Sequence, residues 1–209
     1  MSQTRGRFVV LDGPDGCGKS TQVRLLAEWL HERGKMVTAY RDPGTTAVGE
    51  KLRSILLDSA ELKIPANVEA LLFMAARVQL WQEHIAADLA TGTWVVMDRW
   101  ISSTCAYQGF AGGFGIEKVI QLGQDCLPRV WPDLTIVLDI DTETAAGRMD
   151  RALDRMEQKG REYHAKVREG FLTLARMQPE HVKVVDAAQS IEVIQQQVQR
   201  IVAELTIEY

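Results

Sequence analysis

Gly13-Pro14-Asp15-Gly16-Cys17-Gly18-Lys19-Ser20 satisfies G-x-x-x-x-G-K-[ST] and governs how the rest of the chain is read. Ahead of it runs Phe8-Val9-Val10-Leu11, apolar throughout, as in a strand buried on both faces. Behind it Val23, Leu26, Ala27 and Leu30 recur at the spacing of one helix face, and Gly34 follows where a helix normally stops, so a helix begins near Lys19. Strand, glycine-rich turn and helix in register are the context the pattern requires, and they argue against an ordinary βα turn. A polyphosphate needs many donors at close range. Glycines let backbone N–H groups converge on it, and the helix N-terminus adds partial positive charge. Lys19 then reaches toward the β- and γ-phosphates and Ser20 offers a hydroxyl to Mg²⁺. Such a cradle signifies nucleotide binding and nothing finer, because ATPases, GTPase switches and kinases share it.

Outward from the cradle, residues 36–40, 94–97, 135–140 and 182–185 repeat the apolar strand pattern and alternate with segments of helical period. The alternation predicts a doubly wound parallel sheet with helices on both faces. Ser190 is a candidate N-cap for a last helix whose Ile191, Ile194, Val198, Ile201, Val202 and Leu205 share one stripe. The 209 residues, 46% hydrophobic and 25% charged, exclude a disordered or fibrous chain and suit one domain. A net charge of −4 argues against nonspecific binding to nucleic acid or an anionic membrane. No apolar run approaches a membrane span, and residues 1–7 are polar, so a cytoplasmic location is expected. Cys17, Cys105 and Cys126 match no zinc or redox spacing and read as free packing thiols. The glycine-rich residues 109–115 read as a mobile loop.

Two further segments sit where open α/β sheets bind ligands, at the carboxyl ends of strands: Arg41-Asp42-Pro43-Gly44 and Asp98-Arg99. Two arginines aimed at one crevice can grip a second phosphate, that of an acceptor. Residues 66–90 predict a helix with two apolar sides, Val68, Leu71, Leu72 and Ala75 on one, Phe73, Arg77, Leu80, Trp81 and His84 on the other. One side can cover the sheet while the second, carrying the lone cation Arg77, meets a ligand or a partner subunit.

Taken together these segments resemble the thymidylate kinases among the P-loop nucleoside monophosphate kinases. The resemblance rests on the cradle, on Arg41-Asp42-Pro43-Gly44-Thr45-Thr46 against the family's R-E-P-G-G-T, on Ala75-Ala76-Arg77, on Asp98-Arg99-Trp100 against D-R-[YH], on residues 103–109, and on Asp154-Arg155-Met156-Glu157. It implies a five-stranded parallel sheet covered by helices on both faces, a single kinase domain spanning residues 1–209 and a short lid at about residues 147–162. It further implies a homodimer that phosphorylates dTMP from ATP with Mg²⁺. Gly13, Asp15, Gly16, Cys17, Gly18, Lys19, Ser20, Thr21 and Arg148 would bind ATP. Asp15, Arg41, Asp42, Phe73, Arg77, Arg99, Thr104 and Tyr107 would bind dTMP. Within that set Arg41 and Arg99 hold the acceptor phosphate, Asp15 the 3′-hydroxyl, Phe73 and Arg77 the base, and Tyr107 lies under the sugar. Ser20 and Asp98 would serve Mg²⁺, and Lys19, Arg99 and Arg151 would be catalytic.

By composition the lid is a charge-balanced, solvated helix. Because Gly16 stands where some members of the family have a loop arginine, the resemblance points to a lid arginine, Arg151, with Arg155 as competitor. The chain departs from the usual pattern at Asp42, Thr45 and Trp100. Two rival readings are a kinase for dUMP, another deoxynucleotide or a deoxynucleoside, and a GTP-binding switch. The switch expects an N-K-x-D segment, which the sequence lacks.

Overall fold

The computed structural model describes residues 5–59, 61–148 and 152–206. In these residues the apolar runs become strands β1 (Phe8–Asp12), β2 (Val37–Arg41), β3 (Trp94–Asp98), β4 (Leu134–Asp139) and β5 (Val182–Asp186). They form one parallel, five-stranded sheet in the order β2-β3-β1-β4-β5, as expected. The connecting helices are α1 (Lys19–Glu32), α2 (Ala47–Leu57), α3 (Ala66–Leu80), α4 (Ala86–Ala90), α5 (Ile101–Thr104), α6 (Ile116–Cys126), α7 (Thr142–Gly147), α8 (Arg161–Met177) and α9 (Ile191–Ala203).

Period-2 geometry explains the unbroken apolar run of β1. Val9 and Leu11 point to one side of the sheet, packing with Leu26 and Leu30 of α1 and with Ile194 and Val198 of α9. Phe8 and Val10 point to the other, joining Leu80, Ile85, Trp100 and Val119. The edge strands β2 and β5 are only partly covered, which is why their sequences mix polar and apolar residues. Ser190 caps α9 by accepting the Val193 N–H at 3.4 Å, a contact typically worth about 1 kcal/mol.

Four expectations are corrected here. The 66–90 segment is helical but not uniformly α: α3 and α4 are joined by a π-helical turn, Trp81–Ile85. Its Arg77, Leu80 and Trp81 side turns inward and the Val68 and Leu71 side outward. Residues 109–115 are not one mobile loop. Gly109 is buried inside a second π-helical segment, Cys105–Ala111, where a Cβ would press on the Ile116 backbone at 3.2 Å, so only the residues after it turn the chain into α6. The lid charges do not form a solvated helix in the described residues. Residues 157–159 make a short 3-10 turn, and Arg155 and Glu157 are buried because the segment's charges pair inward. Cys17, Cys105 and Cys126 are unbridged, as expected, and Cys17 and Cys105 are packed in the core, but Cys126, at the end of α6, is exposed rather than packed.

Register brings the binding elements to one edge. Leu11 pairs with Asp98 and Arg41 pairs with Asp98, so the carboxyl ends of β1, β2 and β3 finish level. β1 leads to β2 on one side of the sheet and β3 leads to β4 on the other, so the phosphate loop leaves the sheet at its topological switch point. The turn after β2 contains Thr45 at φ 70°, a left-handed conformation that a β-branched residue adopts at a cost. Glycine is free of that cost, but Thr45→Gly also gives up the hydroxyl contacts with the Arg41 backbone at 3.2 and 3.3 Å and adds unfolded-state freedom, so Tm is expected to stay within about 2 °C of wild type in a thermal melt.

Candidate active site

The phosphate loop takes its shape from glycine at positions where a side chain cannot stand. Gly16 has φ 80°, and a Cβ there would run into the backbone carbonyl of Ala145 on α7. The loop therefore has no room for an arginine at this position. Gly18, at φ 94°, opens directly into α1. Lys19 is buried and folds back over the loop, its Nζ donating to the carbonyls of Pro14 at 2.8 Å and Gly13 at 3.2 Å. That posture holds its charge where phosphates would meet the converging N–H groups. Ser20 Oγ donates to Asp98 Oδ2 at 2.7 Å, joining a hydroxyl and a carboxylate at the end of β3.

Beside the loop, Arg99 sits at φ 73°, strain of the kind that collects at functional positions and persists only where neighbours enforce it. The enforcing contacts are visible. Its Nη1 donates to Gly13 O at 3.0 Å and Ser103 Oγ at 2.9 Å, and its Nη2 makes a close ion pair with Asp15. Asp15 also accepts the Tyr107 hydroxyl at 2.6 Å. Burial alone would raise the Asp15 carboxyl, but Arg99, Lys19 and the Tyr107 hydrogen bond outweigh it and lower its pKa to about 2. Burial and the neighbouring Asp15 carboxylate push the Tyr107 phenol well up, so it stays a donor.

Arg77 on α3 is fully buried. Its Nε donates to Asp42 Oδ2 at 2.7 Å, and its Nη2 donates to Trp100 O and Thr104 Oγ1, each at 3.1 Å. Arg77 Nη1 and Asp42 Oδ1 are buried and find no partner among the described residues. Buried polar atoms seldom stay unpaired, so these two mark a place where a polar ligand edge fits. Asp42, expected on the acceptor side, is the counter-ion that orients Arg77 and lines the same cavity. Arg41 stays half exposed at the rim, paired with Glu50 Oε1 at 2.8 Å.

One cavity of about 870 Å³ joins these groups. Asp15 to Thr21 line it with Arg41, Asp42, Phe73, Arg77, Asp98, Arg99, Thr104, Tyr107 and Arg148, so nearly all the expected residues converge. Gly13 is not on the wall but supplies the carbonyl that binds both Lys19 and Arg99. Arg148 donates to Ala187 O at 2.8 Å, and residues 189–191 line the cavity beside it. Arg151 lies outside the described residues. Arg155 is not on the cavity wall; it is buried against Glu69 at 2.7 Å.

Four contributors escaped the sequence reading. Asp12, fully buried, accepts from Ser102 Oγ at 2.5 Å, Ser103 Oγ at 2.7 Å and the Gly13 N–H at 2.9 Å. Its place directly before the loop was the available signal. Arg53 on α2 adds a cation to the wall, donating to Pro43 O at 3.1 Å, and Gln108 adds a buried amide. Glu69 binds Gln108 from behind the wall at 2.9 Å. None of these last three stands out by spacing.

Comparison with known proteins agrees with this geometry. The family model described as "Thymidylate kinase" matches residues 11–198. A thymidylate kinase of Symbiobacterium thermophilum is 43% identical over 199 residues, 95% of this chain and 93% of that protein. One of Caldanaerobacter subterraneus subsp. tengcongensis is 41% identical over 201 residues, 96% of each chain. The crystal structure of thymidylate kinase from Ehrlichia chaffeensis matches at TM-score 0.77 and 29% identity, covering 95% of this chain and 99% of that one. With a phosphate loop, a strained arginine and a buried arginine–aspartate pair around one cavity, and relatives alike over nearly its whole length, the chain belongs to the thymidylate kinase family.

Proposed function

We propose that this protein transfers the γ-phosphoryl of ATP to dTMP, giving dTDP and ADP, and that residues 1–209 act as one kinase domain with a lid at about 147–162. The observation that carries the reading is the continuity of the cavity: the phosphate loop lies in the same space as Arg99, Arg41 and the unpartnered edge of Arg77. ATP belongs against residues 15–21, with Arg148 beside its base. dTMP belongs against Asp15, Arg41, Asp42, Phe73, Arg77, Arg99, Thr104 and Tyr107. An oxygen of the dTMP phosphate attacks the γ-phosphorus in line, the bond to the β,γ-bridging oxygen breaks, and ADP leaves with that electron pair. The nucleophile is already anionic, so no general base is needed, and catalysis is positioning plus charge neutralisation.

Arg99 supports that role by its location, anchored to the loop carbonyl of Gly13 while facing the acceptor side. Ser20 and Asp98 would hold Mg²⁺. Hard oxygen donors, one hydroxyl and one carboxylate, suit an ion that fills its remaining positions with water and phosphate oxygens. When bound, Mg²⁺ neutralises phosphate charge. Commitment of Arg155 to Glu69 supports Arg151 as the lid cation. No helix of the described residues is long and apolar enough to cross a membrane, in keeping with the cytoplasmic location this reading carries. The outward apolar side of α3, where Val68 is 39% and Leu71 53% exposed, is the surface on which a homodimer would form.

The decisive experiment is a coupled ADP-release assay over a panel of nucleoside monophosphates. ATP turnover that depends on added dTMP and exceeds turnover with dUMP is expected, whereas slow GTP hydrolysis indifferent to dTMP would overturn the reading. Lys19→Ala should lower kcat on the order of 10²-fold or more with an unchanged far-UV spectrum. Arg151→Ala should lower kcat by about 10³-fold with little change in dTMP affinity, while Arg155→Ala should act first on Tm. If those two patterns are exchanged in steady-state kinetics, the lid assignment is reversed.

A further inference from the structure

Glu69 takes no part in the chemistry above, yet it is a fully buried carboxylate one helical turn ahead of Phe73 and two ahead of Arg77. One face of α3 thus carries two cavity-lining side chains and, behind them, an acid. Its oxygens gather Gln108 Nε2 at 2.9 Å, Lys159 Nζ at 2.9 and 3.1 Å, and Arg155 Nη2 at 2.7 Å. Burial opposes its ionisation, but these hydrogen bonds and cations prevail and hold its carboxyl below the usual range. Arg155 is fastened further: its Nε donates to Leu56 O at 2.7 Å and its backbone N–H to Leu57 O at 2.9 Å. The end of α2, the start of α3 and residues 155–159 are therefore tied at one point.

What hangs from that point is a wall of the cavity. Asp154, Met156 and Glu157 line it. Asp154 Oδ1 holds their turn closed by accepting the N–H groups of Met156 at 2.8 Å and Glu157 at 2.9 Å. This wall adjoins the acceptor flank: the Arg155 N–H is bonded to Leu57 O at the end of α2, and Arg53 of the same helix lines the cavity and donates to Pro43 O at 3.1 Å, beside Arg41 and Asp42. Burying an ion cluster costs desolvation energy, and apolar side chains could join the same elements more cheaply. What directed charges add is a fixed register.

We propose that Glu69 is a positioning residue for the acceptor pocket: by gripping Arg155 and Lys159 it holds the 154–157 wall against the helix that carries Phe73 and Arg77. Acceptor affinity then depends on a carboxylate that never touches the acceptor. The inference rests on the function proposed above.

The test uses the full chain as wild type, Glu69→Gln and Lys159→Met. Each is titrated with dTMP alone by calorimetry, and KM is measured for dTMP and for ATP. In Glu69→Gln, Kd and KM for dTMP are expected to rise about tenfold, equivalent to roughly 1.4 kcal/mol, with KM for ATP held within about twofold. Lys159→Met removes one of the two cations and is expected to show the same split at about threefold. Unchanged dTMP affinity in folded Glu69→Gln, or equal rises in both KM values, would overturn the proposal. If Glu69→Gln does not fold, Lys159→Met decides by the same criterion, its side chain being 26% exposed and its loss leaving Arg155 paired with Glu69. A wild-type chain that neither binds nor phosphorylates dTMP would refute the kinase reading itself; wild-type binding matched by the variants would refute only the role of Glu69.

Discussion

The arrangement depends on a carboxylate at the end of the central strand. Asp12 is buried with no exposed surface, and it is held by Ser102 and Ser103 of α5, by the Gly13 N–H of the phosphate loop, and at 3.4 Å by the Arg99 guanidinium. A buried carboxylate without partners would be strongly unfavourable, so these groups are drawn to one centre. The consequence is a fixed spacing between the phosphate loop and Arg99. Phosphoryl transfer tolerates little error in that spacing, because reacting atoms must meet in line at about 3–3.5 Å.

Charge is organised on the same plan throughout the cavity. Each cation already has a protein acceptor: Lys19 the loop carbonyls, Arg99 Asp15, Arg77 Asp42, and Arg41 Glu50. The exposed pair of Arg41 and Glu50 is weak and easily exchanged for phosphate. The buried pair of Arg77 and Asp42 is not, since breaking such a pair costs about 3–5 kcal/mol. The contrast separates a rim pair open to exchange from a floor pair that is preset.

The fold was legible because its signals are local. An apolar run of strand length, a glycine turn and a 3.6-residue stripe describe a βα unit without reference to anything distant, and Ser190 announced α9 in the same way. The phosphate loop was legible for a similar reason: its ligand is met largely by its own backbone. The pairing of Asp42 with Arg77 was not, because 35 residues separate them and only the packing of α3 against the turn after β2 brings them together. Arg155 misled for the reverse reason. Among alternating charges it looks solvated, and its burial depends on Glu69, which lies outside the local pattern. The π-helical turns were invisible too, since one extra residue in a helix leaves the apolar stripe nearly intact.

Contact between Gly16 and the Ala145 carbonyl bears on how such enzymes diverge. Any side chain at position 16 would displace α7, and with it Arg148 at the end of that helix. With the lid-borne cation proposed above, a descendant of this chain could not move that charge into the phosphate loop by one codon change, because a side chain at position 16 would meet the Ala145 carbonyl. The two designs are separated by a steric barrier, and crossing it requires the backbone above the loop to move first.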